Sequence, residues 1–471
     1  MHADRKSELN GKSILHADLL SNLLSQIKPS VYLIKASNAK GHDRVPNEQL
    51  LVITIDEILK LAKLNNWSMS KSQGNIYLFN GCYWAVIEED LMKRFLSTAA
   101  EKIGINRYRA KYFVWAAQLL QQFQHSAYLP SPNESGDKVL INFKNGTFEV
   151  SDEKQYLREF RPKDFLRYQL PFEYDPNAVA PKFQKFLDEV LPDHATQDLL
   201  AEYLGYIFIP AKYLKLEKIV MLYGSGANGK SVVFEIISAL LGKDANVSNF
   251  SLKSLTNDNG YFRAMLGGKL LNYSSDISGK MDDGFFKLLA SGEPIEARLP
   301  YGKPMILTNY AKMMFNLNEL PLDTDQSNAY FRRLIIIPFD VTIPEEKQNK
   351  NLANEIIESE LSGVFNWALA GLHRLLRNKK LTQSDIVDAK IREYILSSDS
   401  VSQFLEDDDY EMDHECNMPL SDLYVAYSTY CKTYGYYACS KRKMRERLKA
   451  KKFQILRKSW GMSVSVRKRF L

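Results

Sequence analysis

Residues 218–242 read KIVMLYGSGANGKSVVFEIISALLG and carry the clearest structural signal in the chain. The first part, residues 218–223, is an apolar run of the kind that forms a strand buried on both faces. The last part, residues 232–241, is apolar and long enough for a helix, and Gly242 is a typical helix stop. A buried strand that leads through a short loop into a helix predicts an α/β fold with a parallel sheet.

Between this strand and helix stands a glycine-rich loop that matches Gly-x-x-x-x-Gly-Lys-Ser. The glycines let backbone N–H groups turn toward a phosphate, and the helix N-terminus adds partial positive charge. In this motif Lys230 reaches the β- and γ-phosphates, and the Ser231 hydroxyl is a ligand of Mg²⁺. A tight glycine turn with only a structural role would not need the Lys-Ser pair, so the motif predicts binding of ATP with Mg²⁺. The predicted binding residues are Gly224, Ser225, Gly226, Ala227, Asn228, Gly229, Lys230 and Ser231.

A second apolar strand is predicted at residues 268–276, and it ends in Asp276, 45 residues after Ser231. Hydrolysis of a nucleotide needs a carboxylate near the metal ion and the attacking water, and Asp276 is the candidate for that role. The alternative is an aspartate that only caps the loop after the strand, which is a common arrangement.

Further motifs follow the loop in a fixed order. They are Lys269-Leu270-Leu271-Asn272 with Ser275-Asp276, Lys287-Leu288-Leu289-Ala290-Ser291-Gly292, Asn318-Glu319-Leu320-Pro321, and Phe331-Arg332-Arg333-Leu334 with Ile335-Ile336-Ile337-Pro338-Phe339. Together they resemble the superfamily-three helicases, in the branch of phage and plasmid primase-helicases that is related to the poxvirus primase-helicase. The resemblance covers roughly residues 76–471, and Ile141-Asn142-Phe143 with Asn145-Gly146, followed by Tyr168 and Tyr174-Asp175-Pro176, resembles the N-terminal region of that branch.

This resemblance implies a AAA+-like P-loop ATPase core that assembles as a hexameric ring around one DNA strand and moves along it 3′ to 5′. It implies an ATP-dependent DNA helicase of a phage, plasmid or mobile element that acts in replication on single-stranded and forked DNA. A separate primase or replication initiator is a further expected partner. By position, Asp276 is the Walker B acid and, with Ser231, a ligand of Mg²⁺, and Asn318 is the sensor that orients the attacking water. Arg332, with Arg333 as its rival, is the arginine finger that completes the neighbour's site.

The sequence departs from the family at one catalytic position. Many relatives end the Walker B strand in Glu, whereas Asp276 follows Ser275 here, so slow hydrolysis is expected. Without the surrounding motifs, Arg332 and Arg333 would indicate a surface salt-bridge site. Two other functions stay open: a nucleotide-dependent DNA-binding initiator or scaffold with little or no unwinding, and another P-loop motor such as a DNA-packaging ATPase.

Many family members carry a primase domain ahead of the helicase. The roughly 70 residues before the recognisable region are too few for such a domain, so a helicase part without a primase is expected. Asp323-x-Asp325 has the form of primase metal ligands, but its position between sensor and finger indicates a loop.

Residues 295–307 predict a β-hairpin whose tip is Tyr301-Gly302-Lys303. In the helicases that this chain resembles, a hairpin at this place projects into the ring channel and holds DNA. A lysine there can pair with phosphate while a tyrosine stacks on a sugar or a base. The predicted DNA contacts are Arg298, Tyr301 and Lys303, and the alternative is an ordinary exposed turn.

The basic residues are concentrated at one end of the chain. The whole chain has 62 Lys and Arg against 56 Asp and Glu, a net charge of +6, but residues 441–471 alone hold 13 basic side chains and one acid, Glu446. The other residues therefore sum to −6. A concentrated basic segment is the usual footprint of a nucleic-acid-binding surface, and the alternative is a solvated surface that aids solubility.

The same segment predicts a winged helix. Ser440 is a candidate N-cap for a helix at 441–450 that turns Met444 and Leu448 inward, and strands at 453–457 and 464–467 would form the wing. Basic side chains on the outer face would contact phosphates and so give affinity rather than sequence choice. The predicted contacts are Lys441, Arg442, Lys443, Arg445 and Arg447.

Composition excludes several classes of protein. With 45% hydrophobic and 25% charged residues the chain is an ordinary globular sequence, and no apolar run approaches the ~18 residues of a membrane span. No secretory signal is evident, so we expect a cytoplasmic protein of a bacterial cell, encoded by a phage or mobile element, with no membrane partner. The four cysteines lack zinc spacing, and a ligand set of His414, Cys416, Cys431 and Cys439 is disfavoured.

The pattern of apolar residues divides the chain into six predicted segments. Hairpins are predicted around Asn80-Gly81 and Asn145-Gly146, with a helical stretch at 90–123 between them. The segments are an N-terminal extension (1–70), an α+β N-terminal domain (71–180), a helical collar (181–215), the P-loop ATPase core (216–345), a helical segment (346–400) and the basic winged-helix module (401–471).

Overall fold

The computed structural model describes residues 16–38, 45–65, 67–72, 75–127, 138–151, 154–275, 282–321, 327–436 and 438–469. These residues divide into two compact units. The first comprises the described part of Met1–Val179 with Phe208–Tyr213 and Ala239–Asn246, and the second comprises Ala180–Ile207, Leu214–Ser238 and the described part of Val247–Leu471. None of the described helices combines the length and the apolar character that a membrane crossing requires.

The first unit, as far as it is described, combines helices with two three-stranded antiparallel sheets. Its helices are α1 (His16–Gln26), α2 (Val31–Asn38), α3 (Asn47–Leu64), α4 (Glu89–Ile103), α5 (Arg107–Lys111) and α6 (Phe113–Ser126). Its strands are β1 (Ser68–Ser72), β2 (Asn75–Phe79), β3 (Trp84–Ile87), β4 (Val139–Phe143), β5 (Gly146–Val150) and β6 (Gln155–Arg158). The two predicted hairpins are confirmed as β2–β3 and β4–β5, each with its Asn-Gly at the turn.

The helical stretch predicted at 90–123 is broken into three helices, α4, α5 and α6. The first break is at Gly104, which has φ +127°, and a Cβ atom there would lie 2.5 Å from the Ile34 side chain of α2. A glycine is therefore required where α2 approaches the end of α4. This break depends on a contact between elements distant in sequence, which the local apolar pattern does not contain.

The remaining elements follow in chain order. The helices are α7 (Pro181–Val190), α8 (His194–Tyr206), α9 (Lys230–Leu241), α10 (Leu252–Leu255), α11 (Tyr261–Ala264), α12 (Asp283–Ser291), α13 (Asn328–Phe331), α14 (Leu352–Ser359), α15 (Leu361–Asn378), α16 (Asp385–Ser397), α17 (Ser400–Asp407), α18 (Leu420–Tyr434) and α19 (Lys441–Ala450). The strands are β7 (Ile219–Tyr223), β8 (Val247–Ser248), β9 (Leu271–Ser274), β10 (Ile295–Arg298), β11 (Pro304–Leu307), β12 (Lys312–Leu317), β13 (Leu334–Pro338), β14 (Tyr410–Met412), β15 (Met418–Pro419), β16 (Ile455–Lys458), β17 (Gly461–Val464) and β18 (Val466–Lys468).

A five-stranded sheet of order β13-β7-β12-β9-β8 forms the centre of the second unit, and every neighbouring pair is parallel. The four residues Ile219, Val220, Met221 and Leu222 of β7 are completely buried. Burial of consecutive residues means that both faces of the strand are covered, as the apolar run predicted. The α/β fold with a parallel sheet is confirmed.

The backbones of helices α8 and α15 approach each other so closely at Gly205 and Gly371 that neither position has room for a Cβ atom. A Cβ atom on Gly371 would lie 2.3 Å from the main-chain carbon of Ala201, and one on Gly205 would lie 2.7 Å from Leu372. The completely buried carboxylate of Glu202 accepts hydrogen bonds at 2.6 Å from the main-chain N and from the Oγ1 of Thr382. Close backbone approach and a satisfied buried charge together fix this helix pair.

The C-terminal part of the second unit contains a three-stranded antiparallel sheet, β15-β17-β16, packed with α17, α18 and α19. Ser440 caps α19 by accepting from the main-chain N of Lys443 at 3.3 Å, and Met444 and Leu448 are completely buried, as predicted. The bounds predicted for the two wing strands, 453–457 and 464–467, are wrong, because Ile455–Lys458 (β16) pairs with Gly461–Val464 (β17), Ile455 opposite Val464. Val466–Lys468 instead pairs with β14.

Candidate functional site

The predicted phosphate-binding residues 224–231, named the glycine loop below, connect the carboxyl end of β7 to α9. Gly226 and Gly229 have φ angles of +119° and +86°, which other residues rarely adopt. Nothing lies within 4 Å of the position of a Cβ atom on Gly226, so the backbone there borders open space. A Cβ atom on Gly224 would lie 2.2 Å from Nδ2 of Asn228. Gly224 therefore has no room for a side chain, whereas the backbone at Gly226 is accessible to a ligand.

Lys230 begins α9, and its ammonium group points back into the glycine loop. The residue is only 6% exposed, and Nζ donates to the main-chain O of Gly224 at 2.6 Å and to Oδ1 of Asn228 at 2.9 Å. Burial lowers the pKa of Lys230. Both partners are uncharged oxygens, so no carboxylate neutralises the Lys230 charge. Because the ammonium group is buried, its attraction for an approaching anion is stronger than it would be in water.

Two side chains that the sequence analysis missed support the loop from neighbouring strands. Asn316, near the end of β12, donates from Nδ2 to the main-chain O of Lys230 at 3.2 Å. Tyr273 of β9 donates its hydroxyl to Oδ1 of Asn316 at 2.9 Å, and burial raises the pKa of Tyr273. Their positions near the carboxyl ends of two strands could have indicated them, because the carboxyl ends of adjacent parallel strands lie side by side.

The predicted sensor lies at this same edge. Asn318 follows directly after β12, whose Leu317 is paired with Tyr223 of β7, and its side chain is exposed. Ser231 is also exposed, in the first turn of α9. Asp276 and the pair Asp323 and Asp325 lie outside the described residues. In the described part of the chain, no group of three or more His, Cys, Asp or Glu side chains is arranged to hold a metal ion.

Arg332 and Arg333 lie at the amino ends of the parallel strands, opposite to the carboxyl ends that carry the glycine loop and Asn318. They directly precede β13, which runs parallel to β7 with Leu334 opposite Ile219 and Pro338 opposite Tyr223. The length of strand between Leu334 and Pro338 is about 13 Å, at ~3.3 Å per residue. The two guanidinium groups are therefore separated from the glycine loop of their own chain by the length of the sheet.

The two arginines have different surroundings. Arg333 is 9% exposed by side chain, and its Nη2 and Nε donate to Oγ of Ser291 at 3.0 Å and 3.2 Å. Arg332 is 58% exposed, and its side chain forms an ion pair with Oε2 of Glu217 at 3.2 Å. Glu217 also lies 3.3 Å from Nη2 of Arg333 and has φ +57°. Arg333 is held inside its own chain, whereas Arg332 faces solvent.

The predicted hairpin at 295–307 is confirmed, with β10 and β11 paired antiparallel from Ile295–Leu307 to Arg298–Pro304. Tyr301 at its tip is completely exposed and has φ +59°, and Lys303 is exposed as well. Arg298 donates from Nη2 to the hydroxyl of Tyr261 at 3.3 Å. The tip thus presents an aromatic ring and a cation to solvent.

The basic residues of α19 fall into two groups. Lys441, Arg442 and Lys443 are exposed, although Arg442 also lies 3.2 Å from Glu446 one turn away. Arg447 is largely buried against Asp399 at 3.4 Å, and Arg445 is half-buried. The exposed members of the predicted contacts therefore lie in the N-terminal turn of α19, and Lys449 is a further exposed cation in its last turn.

Lys451, just after α19, lies 2.9 Å from Oδ2 of Asp399. Burial alone would raise the pKa of Asp399, but its hydrogen bond with Ser402 and the charges of Lys451 and Arg447 together lower it. Asp399 therefore ties the end of α19 to the beginning of α17.

Comparison with known proteins matches two family models. Residues 58–192 match the family described as "D5 N terminal like", and residues 222–333 match a family of unknown function, DUF5906. The "D5 N terminal like" match and the helicase names of the relatives support a protein of the phage and viral primase-helicase family. Relatives named "Putative helicase" include one from Acanthamoeba polyphaga mimivirus, 25% identical over 217 residues, and one from Invertebrate iridescent virus 3, 25% identical over 334 residues.

These alignments cover 44% and 62% of this chain but 22% and 35% of the relatives, so this chain spans less than half of their length. A solved structure, the apo form of the NrS-1 C-terminal region (305–718), is 12% identical with a TM-score of 0.48. That alignment covers 87% of this chain and 97% of the other.

Proposed function

We propose that the protein is an ATP-dependent DNA helicase of a phage, virus or other mobile element that acts during replication. In this proposal copies of the chain form a hexameric ring that moves 3′ to 5′ along single-stranded DNA. The family and the helicase names of its relatives support a nucleic-acid-processing enzyme. The ring and its direction come from the resemblance described above.

The glycine loop fits a nucleotide with Mg²⁺. Three features suit a polyphosphate. They are the open space beside the Gly226 backbone, the N-terminus of α9, and the Lys230 ammonium, whose hydrogen-bond partners are uncharged oxygens. We assign the phosphates to the backbone of residues 224–229 and to Lys230, and the metal ion to Ser231 and Asp276. A bound ATP with Mg²⁺ would supply the phosphoanhydride whose hydrolysis drives movement. Asn318, exposed at this edge, would orient the attacking water.

The placement of Arg332 carries the proposal. An arginine finger neutralises charge that develops on the transferred phosphoryl group, so its guanidinium must reach the nucleotide. Arg332 is exposed but lies at the far edge of the sheet from its own glycine loop. It can serve only the loop of an adjacent copy, which is the arrangement that a ring of identical subunits provides. Arg333, with its donors committed to Ser291, takes a structural role in this proposal.

Two surfaces are proposed to hold DNA. Arg298, Tyr301 and Lys303 of the 295–307 hairpin would hold the strand in the ring channel by stacking and phosphate pairing. The C-terminal part, with α18, α19 and the β16–β17 hairpin, is proposed as a winged helix. There Lys441, Arg442 and Lys443 would make the main phosphate contacts, and Arg445 and Arg447 would contribute from less exposed positions.

Mixing of inactive variants tests the shared site. Lys230→Ala removes the phosphate-binding cation and Arg332→Ala removes the finger, so each variant alone should lose ATPase activity. In an equal mixture, a site with Lys230 from one variant and Arg332 from the other is intact, and activity should partly return. No recovery, with assembly shown by native mass measurement, would contradict the shared site. Arg392→Ala, at an exposed arginine of α16, is the matched control and should stay active.

Strand displacement on forked DNA tests the helicase activity. We expect unwinding of a fork with a 3′ loading strand, dependent on ATP, and loss of it in Lys230→Ala. Nucleotide-dependent assembly on DNA without any turnover would favour the alternative function, a DNA-binding initiator or scaffold.

A further inference from the structure

Residues 107–114 of the first unit, Arg-Tyr-Arg-Ala-Lys-Tyr-Phe-Val, expose three aromatic side chains at the junction of α5 and α6. Tyr108 is 87% exposed, Tyr112 55% and Phe113 75%. The rings of Tyr112 and Phe113 meet edge to face with centroids 5.1 Å apart. Clustered aromatic side chains in water mark a binding surface, because a partner that covers them removes apolar area from solvent.

Cations alternate with these rings. Arg107, Arg109 and Lys111 belong to the same stretch, which contains no Asp or Glu. Glu101 of α4 lies 3.7 Å from Nε of Arg107 and 3.4 Å from Nζ of Lys111. One carboxylate shared by two exposed cations leaves an excess of positive charge beside the aromatic rings.

The backbone beneath these side chains is well anchored. Asn106 caps α5 by accepting from the main-chain N of Tyr108 at 3.0 Å, and Ala110 is completely buried. Trp115, in the first turn of α6, is buried and donates from Nε1 to Oδ1 of Asn47 at 2.8 Å. The rings are therefore presented by a fixed platform, which lowers the entropy lost when a partner binds.

We propose that residues 107–114 bind single-stranded nucleic acid. Unpaired bases stack on exposed aromatic faces, and Lys or Arg beside them pairs with the phosphates. A protein partner fits less well, because the centre of a protein interface is depleted of charged residues, whereas here Tyr108 stands between two arginines in the sequence and Lys111 directly precedes Tyr112. The site lies in the first unit, outside the glycine loop, the 295–307 hairpin and the basic C-terminal part. It needs no nucleotide, so it stands or falls separately from the proposed ATPase.

Photo-cross-linking of the wild-type full chain tests this location directly. The probe is an oligothymidylate that carries 5-iododeoxyuridine, irradiated with the protein in the absence of nucleotide and digested for mass spectrometry. We expect cross-linked peptides that contain Tyr108, Tyr112 or Phe113. Cross-links confined to residues 295–307 and 441–469 would overturn the proposal while leaving the proposed helicase function intact.

Affinity measurements on variants give the second test. Base–aromatic stacking is worth ~1–3 kcal/mol per base, so Tyr108→Ala with Phe113→Ala should weaken oligothymidylate binding by roughly fivefold or more for each ring that stacks. Tyr156→Ala, at an exposed tyrosine of β6 in the same unit, is the matched control and should bind like the wild type. Unchanged affinity in the double variant would overturn the proposal.

The cations of residues 107–114 can be tested through the salt dependence of oligothymidylate binding. Arg107→Gln with Lys111→Gln should reduce the slope of log affinity against log salt concentration by about 0.7 for each phosphate contact removed. Lys60→Gln with Lys63→Gln removes the same charge from exposed positions of α3 and should leave the slope unchanged. If the aromatic variant instead loses self-association and keeps its affinity for the oligonucleotide, the surface is a contact between copies and the proposal fails.

Discussion

Arg332 and Arg333 are neighbours in the chain, but their guanidinium groups make different contributions to the fold. Arg333→Ala would remove the guanidinium that donates to the buried Ser291 hydroxyl and that pairs with Glu217, and a hydrogen bond to a charged group contributes ~1.5–3 kcal/mol. We expect a loss of about 2 kcal/mol in the free energy of unfolding. Arg332→Ala removes only an exposed ion pair and should cost less than about 1 kcal/mol.

Urea unfolding of both variants beside their ATPase rates measures this difference. Arg332→Ala should unfold like the wild type and lose turnover, and Arg333→Lys should recover part of the stability that Arg333→Ala loses. Equal destabilisation of the two alanine variants would show that Arg332 is also structural.

The residues of the candidate site were predictable to the extent that their roles follow from spacing. Gly-x-x-x-x-Gly-Lys-Ser predicts a phosphate contact for Lys230 because the motif lies within one short segment of the chain, and that contact stays a prediction. Asn316 and Tyr273 support the loop only because β12 and β9 are neighbours in the sheet, and the sequence of neither strand predicts that order. Glu217, the partner of both arginines, depends in the same way on β13 lying beside β7. The metal and base role of Asp276 stays a prediction.

At the level of elements, Asp399 joins the start of α17 to the end of α19 through Arg447 and Lys451. Its pKa is lowered in the folded protein, so this carboxylate stabilises the fold above its unfolded pKa of ~3.9 and the contribution is lost as pH falls through the folded value. Asp399→Asn should therefore be less stable than the wild type at neutral pH, and the difference should shrink in acid.

Urea unfolding midpoints across this pH range measure the effect. Glu358→Gln, at an exposed carboxylate of α14, is the control and should differ little from the wild type at neutral pH. A constant difference between Asp399→Asn and the wild type down to strongly acidic pH would contradict the assignment to the charge of Asp399.

The helix pair α8 and α15 sets two opposing effects against each other at Gly371. Alanine is a better helix former than glycine by about 1 kcal/mol, but its Cβ would lie 2.3 Å from the backbone of Ala201. Overpacking costs ~1–3 kcal/mol and rises when the obstacle is backbone, so the steric term wins and Gly371→Ala should lower the thermal midpoint. Ala201→Gly should not rescue it, because the clash is with main-chain atoms. A more stable Gly371→Ala protein would show that the helices separate readily.

Elements with local signals were predicted well, and elements defined by partners were not. Asn-Gly turns located both hairpins of the first unit, because that dipeptide favours the backbone of a tight turn. The break at Gly104 and the pairing of Val466–Lys468 with β14 depend on distant segments. A strand's apolar pattern indicates that it pairs but not with which neighbour.

At the scale of the whole molecule, the parallel sheet separates the two halves of the proposed catalytic site. The glycine loop and Asn318 lie at the carboxyl edge, and Arg332 lies at the amino edge. In the proposed function one half-site lies on each of two surfaces of the chain, and the two surfaces would meet head to tail in adjacent copies. Head-to-tail contacts between identical chains generate rings when the rotation closes.

Turnover per chain should therefore depend on protein concentration. In the proposed function a lone chain has the predicted phosphate-binding residues but no arginine finger from a neighbour, and loss of a finger lowers hydrolysis by ~10³-fold or more. ATPase activity per chain should be near zero in dilute protein and rise cooperatively toward a plateau, with the midpoint matching assembly seen by native mass measurement. Arg332→Ala should assemble over the same range and stay inactive throughout, which separates assembly from completion of the site. Activity per chain that is constant on dilution below the assembly range would mean that one chain completes its own site, and Arg332 would then have no part in catalysis.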